Sequence, residues 1–198
     1  MTLEQIKLKI GERVDDDTAV AYADRYQGIF VSAMIDVVKA VDKNGNALFS
    51  SSEYPELVGP YEPTGTITDG FMQIQYSAIN AIFVRDVFSN VISVNINKRI
   101  NFQSRSFKKL IFIRGNPHLA PTLGEGYWAE KSNSVFILIA ANQKAEAVLP
   151  FSLDIISNPK PGDWGSDDLE ATHHYGRSFI EACIKRSVEI LKSEIGVE

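Results

Sequence analysis

Residues 17–43, DTAVAYADRYQGIFVSAMIDVVKAVDK, constrain the fold more than any other stretch. Apolar side chains recur at Tyr22, Tyr26, Ile29, Phe30, Ala33, Met34, Val37, Val38 and Val41. This three-and-four spacing lines one face of a helix with a 3.6-residue period. A stripe that wide has to be buried against other elements. Asp15, Asp16 and Asp17 stand at the expected start, where carboxylates cap free N–H groups and favour the positive end of the dipole, and Lys39 and Lys43 suit the far end. Asn44-Gly45 supplies a stop, because glycine readily takes the left-handed conformation that closes many helices. About 25 residues at 1.5 Å each predict a rod of roughly 38 Å. This is scaffold and carries no chemistry of its own.

Both chain ends repeat the pattern. Thr2 followed by Gln5 matches a capping box, and Leu3, Ile6, Ile10 and Val14 form a short stripe behind it, which predicts a helix over 3–14 that Gly11 weakens. Near the other end, Phe179, Ile180, Cys183, Ile184, Val188, Leu191 and Ile195 predict a helix over 175–195, with Asp167, Asp168 and Glu170 upstream and Lys185, Arg186 and Lys192 later. Between the ends the text changes. Residues 44–70 carry Pro55, Pro60 and Pro63 among Gly and Ser, an irregular connector with a small strand at 47–49. Met72, Ile74 and Tyr76 then alternate with Gln73 and Gln75, which predicts a half-buried strand over 71–76. Residues 79–87 fit a strand or a short helix. In 91–102, VISVNINKRINF, Ile92, Val94, Ile96, Ile100 and Phe102 share one parity, while 110–113, 134–140 and 148–156 add further strand-like runs. The expected fold class is α+β: a helical bundle formed by the N-terminal and C-terminal helices, with a central antiparallel β-rich insertion. Its segments are 1–45, a connector and β-rich part over 46–165, and 166–198.

Chemistry is sparse. His173-His174 is the most conspicuous pair, but neighbours on a helix diverge by about 100° and rarely share one metal, so exposed or helix-start histidines are expected. Cys183, the single cysteine, excludes an internal disulfide and a multi-cysteine zinc site and fits a reducing cytoplasm. It lies on an apolar face with no base at a recognisable spacing, as an ordinary buried thiol does. Gly124-Glu125-Gly126 lacks the third glycine of a dinucleotide loop, and no P-loop lysine motif exists. No catalytic, cofactor-binding or metal-binding residue is therefore assigned. An enzyme assembled from scattered residues ranks lowest among the readings. The opening residues mix both charge signs without a compact apolar block, and no run of 18 apolar residues occurs, so neither a signal peptide nor a membrane anchor is expected.

One charge feature stands apart. No acid occurs between Asp86 and Glu125, while Lys98, Arg99, Arg105, Lys108, Lys109 and Arg114 gather beside Phe102, Phe107 and Phe112. Cations interleaved with aromatics suit phosphate contact and base stacking. They suit equally the solvated face of a strand pair or a surface for an acidic protein. The formal net charge of -5 weighs towards the latter two.

The order of parts resembles that of the head-to-tail connector (adaptor) proteins of tailed bacteriophages. The residues that carry the resemblance are MTLEQIKLKIGERV, the acidic turn and AVAYADRYQGIFVSAMIDVVKAV at one end, then AVLPFSLDIIS, NPKPGDWG and FIEACIKRSVEILKSEIG at the other. The likeness covers about half the chain, and its central β-like text is longer than compact members of that family carry. It implies a non-enzymatic virion protein at the portal vertex, assembled in the host cytoplasm. Its subunits would join into a ring, commonly of twelve, between portal and tail and around the DNA passage. Implied partners are further copies of the chain, the portal protein and tail or other neck proteins, with non-specific contact to packaged DNA and none to membrane. Another neck or tail-completion protein, or a small nucleic-acid-binding module using residues 98–114, is the alternative.

Overall fold

A computed structural model of the protein describes residues 1–16, 21–89, 99–141, 149–160, 164 and 166–196. In chain order it contains α1 (Leu3–Glu12), α2 (Ala23–Lys39), β1 (Val58–Tyr61), β2 (Phe71–Gln75), β3 (Ala81–Ser89), β4 (Asn101–Ser104), α3 (Phe107–Arg114), β5 (Glu125–Lys131), β6 (Ser134–Ile139), β7 (Phe151–Ser157) and α4 (Arg177–Ile195). The class is α+β, with four helices and two sheets among the described residues. The chain divides into two compact units, residues 1–57 with 158–198 and residues 58–157.

In the first unit, α1 starts on the expected capping box: Thr2 Oγ1 accepts from the Gln5 N–H, and the Gln5 side chain accepts from the Thr2 N–H at 2.9 Å. It ends at Glu12, two residues earlier than expected. The long stripe makes a shorter helix than its periodicity suggests, about 26 Å for 17 residues. Residues 17–20, where the start was expected, lie outside the described residues. Asp15 adopts a left-handed φ of 60° and buried Asp16 accepts from the Tyr26 hydroxyl at 2.8 Å, while Tyr22 stands at the N-cap without a side-chain bond. Asp15 and Asp16 thus shape the turn rather than cap α2. At the other end Ala40 turns extended, and Asp42 closes a tight loop by accepting from the N–H groups of Asn44 and Asn46. Asn44-Gly45 serves this loop and not a helix cap, Val41 is exposed, and the strand expected at 47–49 is reduced to an isolated bridge between Val41 and Ala47.

Helix α4 packs against α2, and α1 touches both. Arg25, at the start of α2, pairs with Glu194 near the end of α4, and Asp36 pairs with Arg186 at 2.9 Å, so α2 and α4 run antiparallel. Their facing sides bury Tyr26, Phe30, Ala33 and Met34 against a row that includes Phe179, Ile180, Cys183 and Ile184. Segments outside the helices seal this core. Trp164 meets Phe30 edge-on at 6.1 Å, and Tyr54 lies 5.2 Å from Phe179. Gly196, with φ 72°, ends α4 in the left-handed conformation, its N–H donating to the Lys192 carbonyl.

In the second unit a three-stranded sheet, β1-β7-β3, faces a four-stranded sheet, β2-β6-β5-β4. Ile74, Val84, Trp128, Val135, Ile137, Phe151, Leu153 and Ile155 share the core between them. β6 is buried along its whole length. Its alternate residues Phe136 and Leu138 face the other way, where Leu110 and Ile113 of α3 cover them. A strand buried on both faces reads as an unbroken apolar run, and SVFILI is one. β1 was not expected in the proline-rich text; it is an edge strand, the place a sheet accepts Pro60. It lies antiparallel to β7, with Val58 opposite Ile156.

The structure departs from the sequence expectation at residues 110–113 and in the direction of one strand pair. Residues 110–113 belong to a helix, capped by Ser106 Oγ accepting from the Lys109 N–H at 3.4 Å, with only Leu110 and Ile113 buried. Four apolar residues in a row cannot separate the two periods, and three-residue spacing of the buried pair is helical. The sheets are also not purely antiparallel: β4 runs parallel to β5. Parallel neighbours need a crossover connection, which α3 and the residues after it provide. Of the expected strand over 91–102, residues 91–98 lie outside the described residues, and β4 begins at Asn101. Gly126 of β5 makes room for β4, since a Cβ there would stand 2.5 Å from the Phe102 ring.

Candidate functional site

The basic stretch of the sequence folds around α3, on the outer side of the four-stranded sheet. Leu110 and Ile113 anchor the helix, and Phe71, Phe107 and Tyr127 rim the apolar cluster they enter. Cations lie over that rim. Arg114 stacks on the Phe71 ring with its guanidinium carbon 3.8 Å from the centroid, Arg105 lies 5.2 Å from Tyr127, and Lys131 Nζ is 4.4 Å from Phe107. Each such contact is worth about 0.5–1 kcal/mol where water reaches it. Arg105 also donates to the Gln103 side chain and to the Ser104 carbonyl, while its Nε is buried with no acceptor among the described residues. These arginines therefore close the aromatic cluster as much as they charge the surface.

Lys108 and Lys109 differ. Both are exposed on the outward side of α3, and neither has an ion pair among the described residues. Between them on the helical surface rises Phe112, 63% exposed, with Ile111 at 39%. The nearby carboxylates are engaged elsewhere. Glu125 accepts from Thr122, whose bonds hold its carboxyl below the usual range, and Glu130 accepts from the Tyr76 hydroxyl and from the Val84 N–H at 2.8 Å. Burial and that carboxylate push the Tyr76 phenol well above its ordinary value. Arg99 is exposed next to buried Ile100, and Lys98 lies outside the described residues. The structure thus brings Arg105, Lys108, Lys109 and Arg114 onto one region. Lys131, which sequence spacing did not join to them, is brought in by the β5–β6 turn.

The histidine pair departs from expectation. Neither is on a helix, and His173 is only 8% exposed. Its Nδ1 lies 2.8 Å from Glu56, its Nε2 lies 3.6 Å from Asp167, and Tyr175 stacks beside it. His174 is the exposed member, with φ 55°. Nothing in the spacing of residues 56, 167 and 173 announces this cluster. The sulfur in the same unit is not a nucleophile poised beside it: Cys183 is fully buried, and desolvation pushes its thiol far up. No group of three or more His, Cys, Asp or Glu among the described residues is arranged to hold a metal ion. Among them, too, no helix is long and apolar enough to cross a membrane.

Around α3 two ammonium groups, without an ion pair among the described residues, flank an exposed aromatic, an arrangement suited to binding. Set against protein-family models and curated proteins, the chain matches none.

Proposed function

We propose that the protein is a structural virion protein without enzymatic activity, a ring-forming head-to-tail connector between the capsid portal and the tail of a bacteriophage. The observation that carries the reading is the division of the chain. Residues 1–57 and 158–198, from the two ends, make one compact unit, and the uninterrupted stretch 58–157 makes another. This is the order of parts on which the resemblance to connector proteins rests. In this reading α1, α2 and α4 form a helical bundle that sets the spacing of subunits in the ring, and the β unit is an elaboration reaching neighbours or partners. The mechanism is geometric. A head-to-tail contact whose rotation closes makes a ring, and an obligate assembly commonly buries more than about 2,000 Å² per interface. Portal protein, tail or neck proteins and the passing DNA are the partners.

The test is the mass of the purified chain in solution, alone and with candidate portal protein, followed by particle imaging. A ring, spontaneous or templated by portal, is the expected result. A chain that stays monomeric at high concentration and ignores portal defeats the proposal. A second reading, a nucleic-acid-binding module, draws support from Lys108 and Lys109, which have no ion pair among the described residues. It requires DNA binding that falls steeply with salt and is lost in the Lys108→Gln, Lys109→Gln variant.

A further inference from the structure

The two units carry opposite charge. Residues 1–57 with 158–198 hold 18 acids against 11 Lys and Arg, a formal net of −7, whereas 58–157 hold 7 acids against 9, a net of +2. The local surfaces sharpen this contrast. On α1, Glu4, Leu8 and Glu12 are spaced by four, so they form one outward line on the helix. Leu8 is 44% exposed between the two carboxylates, and Glu12 has no ion pair among the described residues, while Glu4 pairs only with its helical neighbour Lys7. On α3, Lys108 and Lys109 precede Phe112 by four and three, which sets one ammonium on each side of the ring. Each helix therefore presents an apolar centre between two like charges, and the charges are opposite.

We infer that α3 of one copy docks on α1 of a second copy, Phe112 and Ile111 against Leu8, with Lys108 and Lys109 reaching Glu4 and Glu12. The occupant is another copy rather than nucleic acid because the α3 face offers exposed aliphatic as well as aromatic surface, and the acidic counter-face exists on the same chain. Glu4 and Glu12 stand about 12 Å apart along α1. A steep crossing of the helices brings the lysines, which spread sideways from Phe112, to the two ends of that line. The surfaces in contact are different, so one copy keeps a free α1 and the other a free α3, and association propagates head to tail. Apolar burial supplies affinity, while the charges set register and speed of encounter and weaken with salt. Closure of this contact into a ring rests on the connector reading. The contact itself does not.

The experiment compares the full chain with two variants, Lys108→Glu/Lys109→Glu and Glu4→Lys/Glu12→Lys, by sedimentation at low and high salt. Circular dichroism checks that each variant folds. Each variant alone sets like charges together and should lose at least about tenfold in self-association, a loss expected of a broken charge pair of roughly 1.4 kcal/mol. An equimolar mixture should recover assembly, because in an alternating array every α3–α1 contact again joins opposite charges. Leu8→Gln, which alters no charge, should weaken association as well. If the variants assemble like the native chain, or if folded variants fail to recover on mixing, the inference is overturned. Native rings that persist in both variants would leave the connector reading intact with its contact elsewhere. A native chain that is monomeric alone and with portal defeats both.

Discussion

Leu110→Ala probes the joint on which the α3 surface depends. Leu110 is fully buried on the outer face of the four-stranded sheet, against Ala129, Phe136 and Leu138. Truncation removes three carbons, about 2.4 kcal/mol of transfer free energy at roughly 0.8 kcal/mol each. Because Phe136 and Leu138 belong to a strand held on both edges, they cannot fill the space, so a cavity term adds to the loss. Alanine's helix propensity returns a few tenths of a kcal/mol. The expected cost to the β unit is therefore about 3–4 kcal/mol, within the range typical of buried Leu→Ala changes. The chain has two tryptophans, and they report separately: Trp128 lies in the β unit and Trp164 in the helical one. With Trp164→Phe as background, urea unfolding followed at Trp128 should shift its midpoint down by about 1.5–2 M for a slope near 2 kcal/mol/M. Phe112→Ala, on the exposed side of the same helix, should leave the stability within about 0.5 kcal/mol of native. A loss under about 1 kcal/mol for Leu110→Ala would mean that α3 is not seated on the sheet through this residue. Its outward lysines would then have no fixed presentation.

Gly70→Ala should cost the β unit well over 1 kcal/mol in the same assay, because Gly70 has φ 73° and a Cβ there would stand 2.2 Å from the Ile139 carbonyl oxygen; a neutral result would refute that close approach. The Lys9 ammonium, 2.7 Å away, holds the Glu181 carboxyl below its ordinary range. A depressed carboxylate stabilises fully above its unfolded pKa of about 4.3 and loses that contribution as pH falls through the lower folded value. Glu181→Gln should thus lower the melting temperature slightly at neutral pH, an effect of about 0.2–1 kcal/mol for so exposed a pair, and the difference from native should vanish in strong acid. Cys183, buried with its thiol pushed up, should react with a thiolate-directed reagent only as the helical unit opens, and rapid labelling of the native chain would contradict its placement.

Local rules made part of the fold legible. The Thr2–Gln5 box, the stripe ending at Ile195 and the unbroken apolar run of β6 each follow from backbone chemistry or from burial on one or two faces. What escaped depends on which partner a side chain takes in the fold, near or far in sequence. α2 is shorter than its stripe predicts because Asp16, which looks like a cap, is taken by Tyr26 in the turn before the helix. Residues 110–113 look like a strand until Ser106 is recognised as a cap. His173 is buried in a cluster with Glu56, Asp167 and Tyr175 that its sequence neighbourhood does not announce. At the candidate surface the cations themselves were legible from composition, but their division was not. Which arginines lie flat on rings and which lysines stand free depends on Phe71 and Tyr127 arriving from other strands.

The pairing of β1 with β7 brings the two points where the chain crosses into and out of the β unit side by side. Val58 lies opposite Ile156, so the chain enters and leaves the β unit on neighbouring strands. Closing a flexible loop of that length would cost roughly 4 kcal/mol in chain entropy before α4 could reach α2. A folded β unit has already met that cost internally and hands the two ends over as if joined by a short turn. On the ribosome the β unit emerges whole while α1 and α2 still wait for α4, so it is placed to act as a clasp that folds first and lets the helices close behind it. By the same logic, residues 1–57 and 158–198 joined by a few flexible residues should keep their helical fold, whereas cutting β1 from β7 in the full chain should weaken the helices that neither strand belongs to.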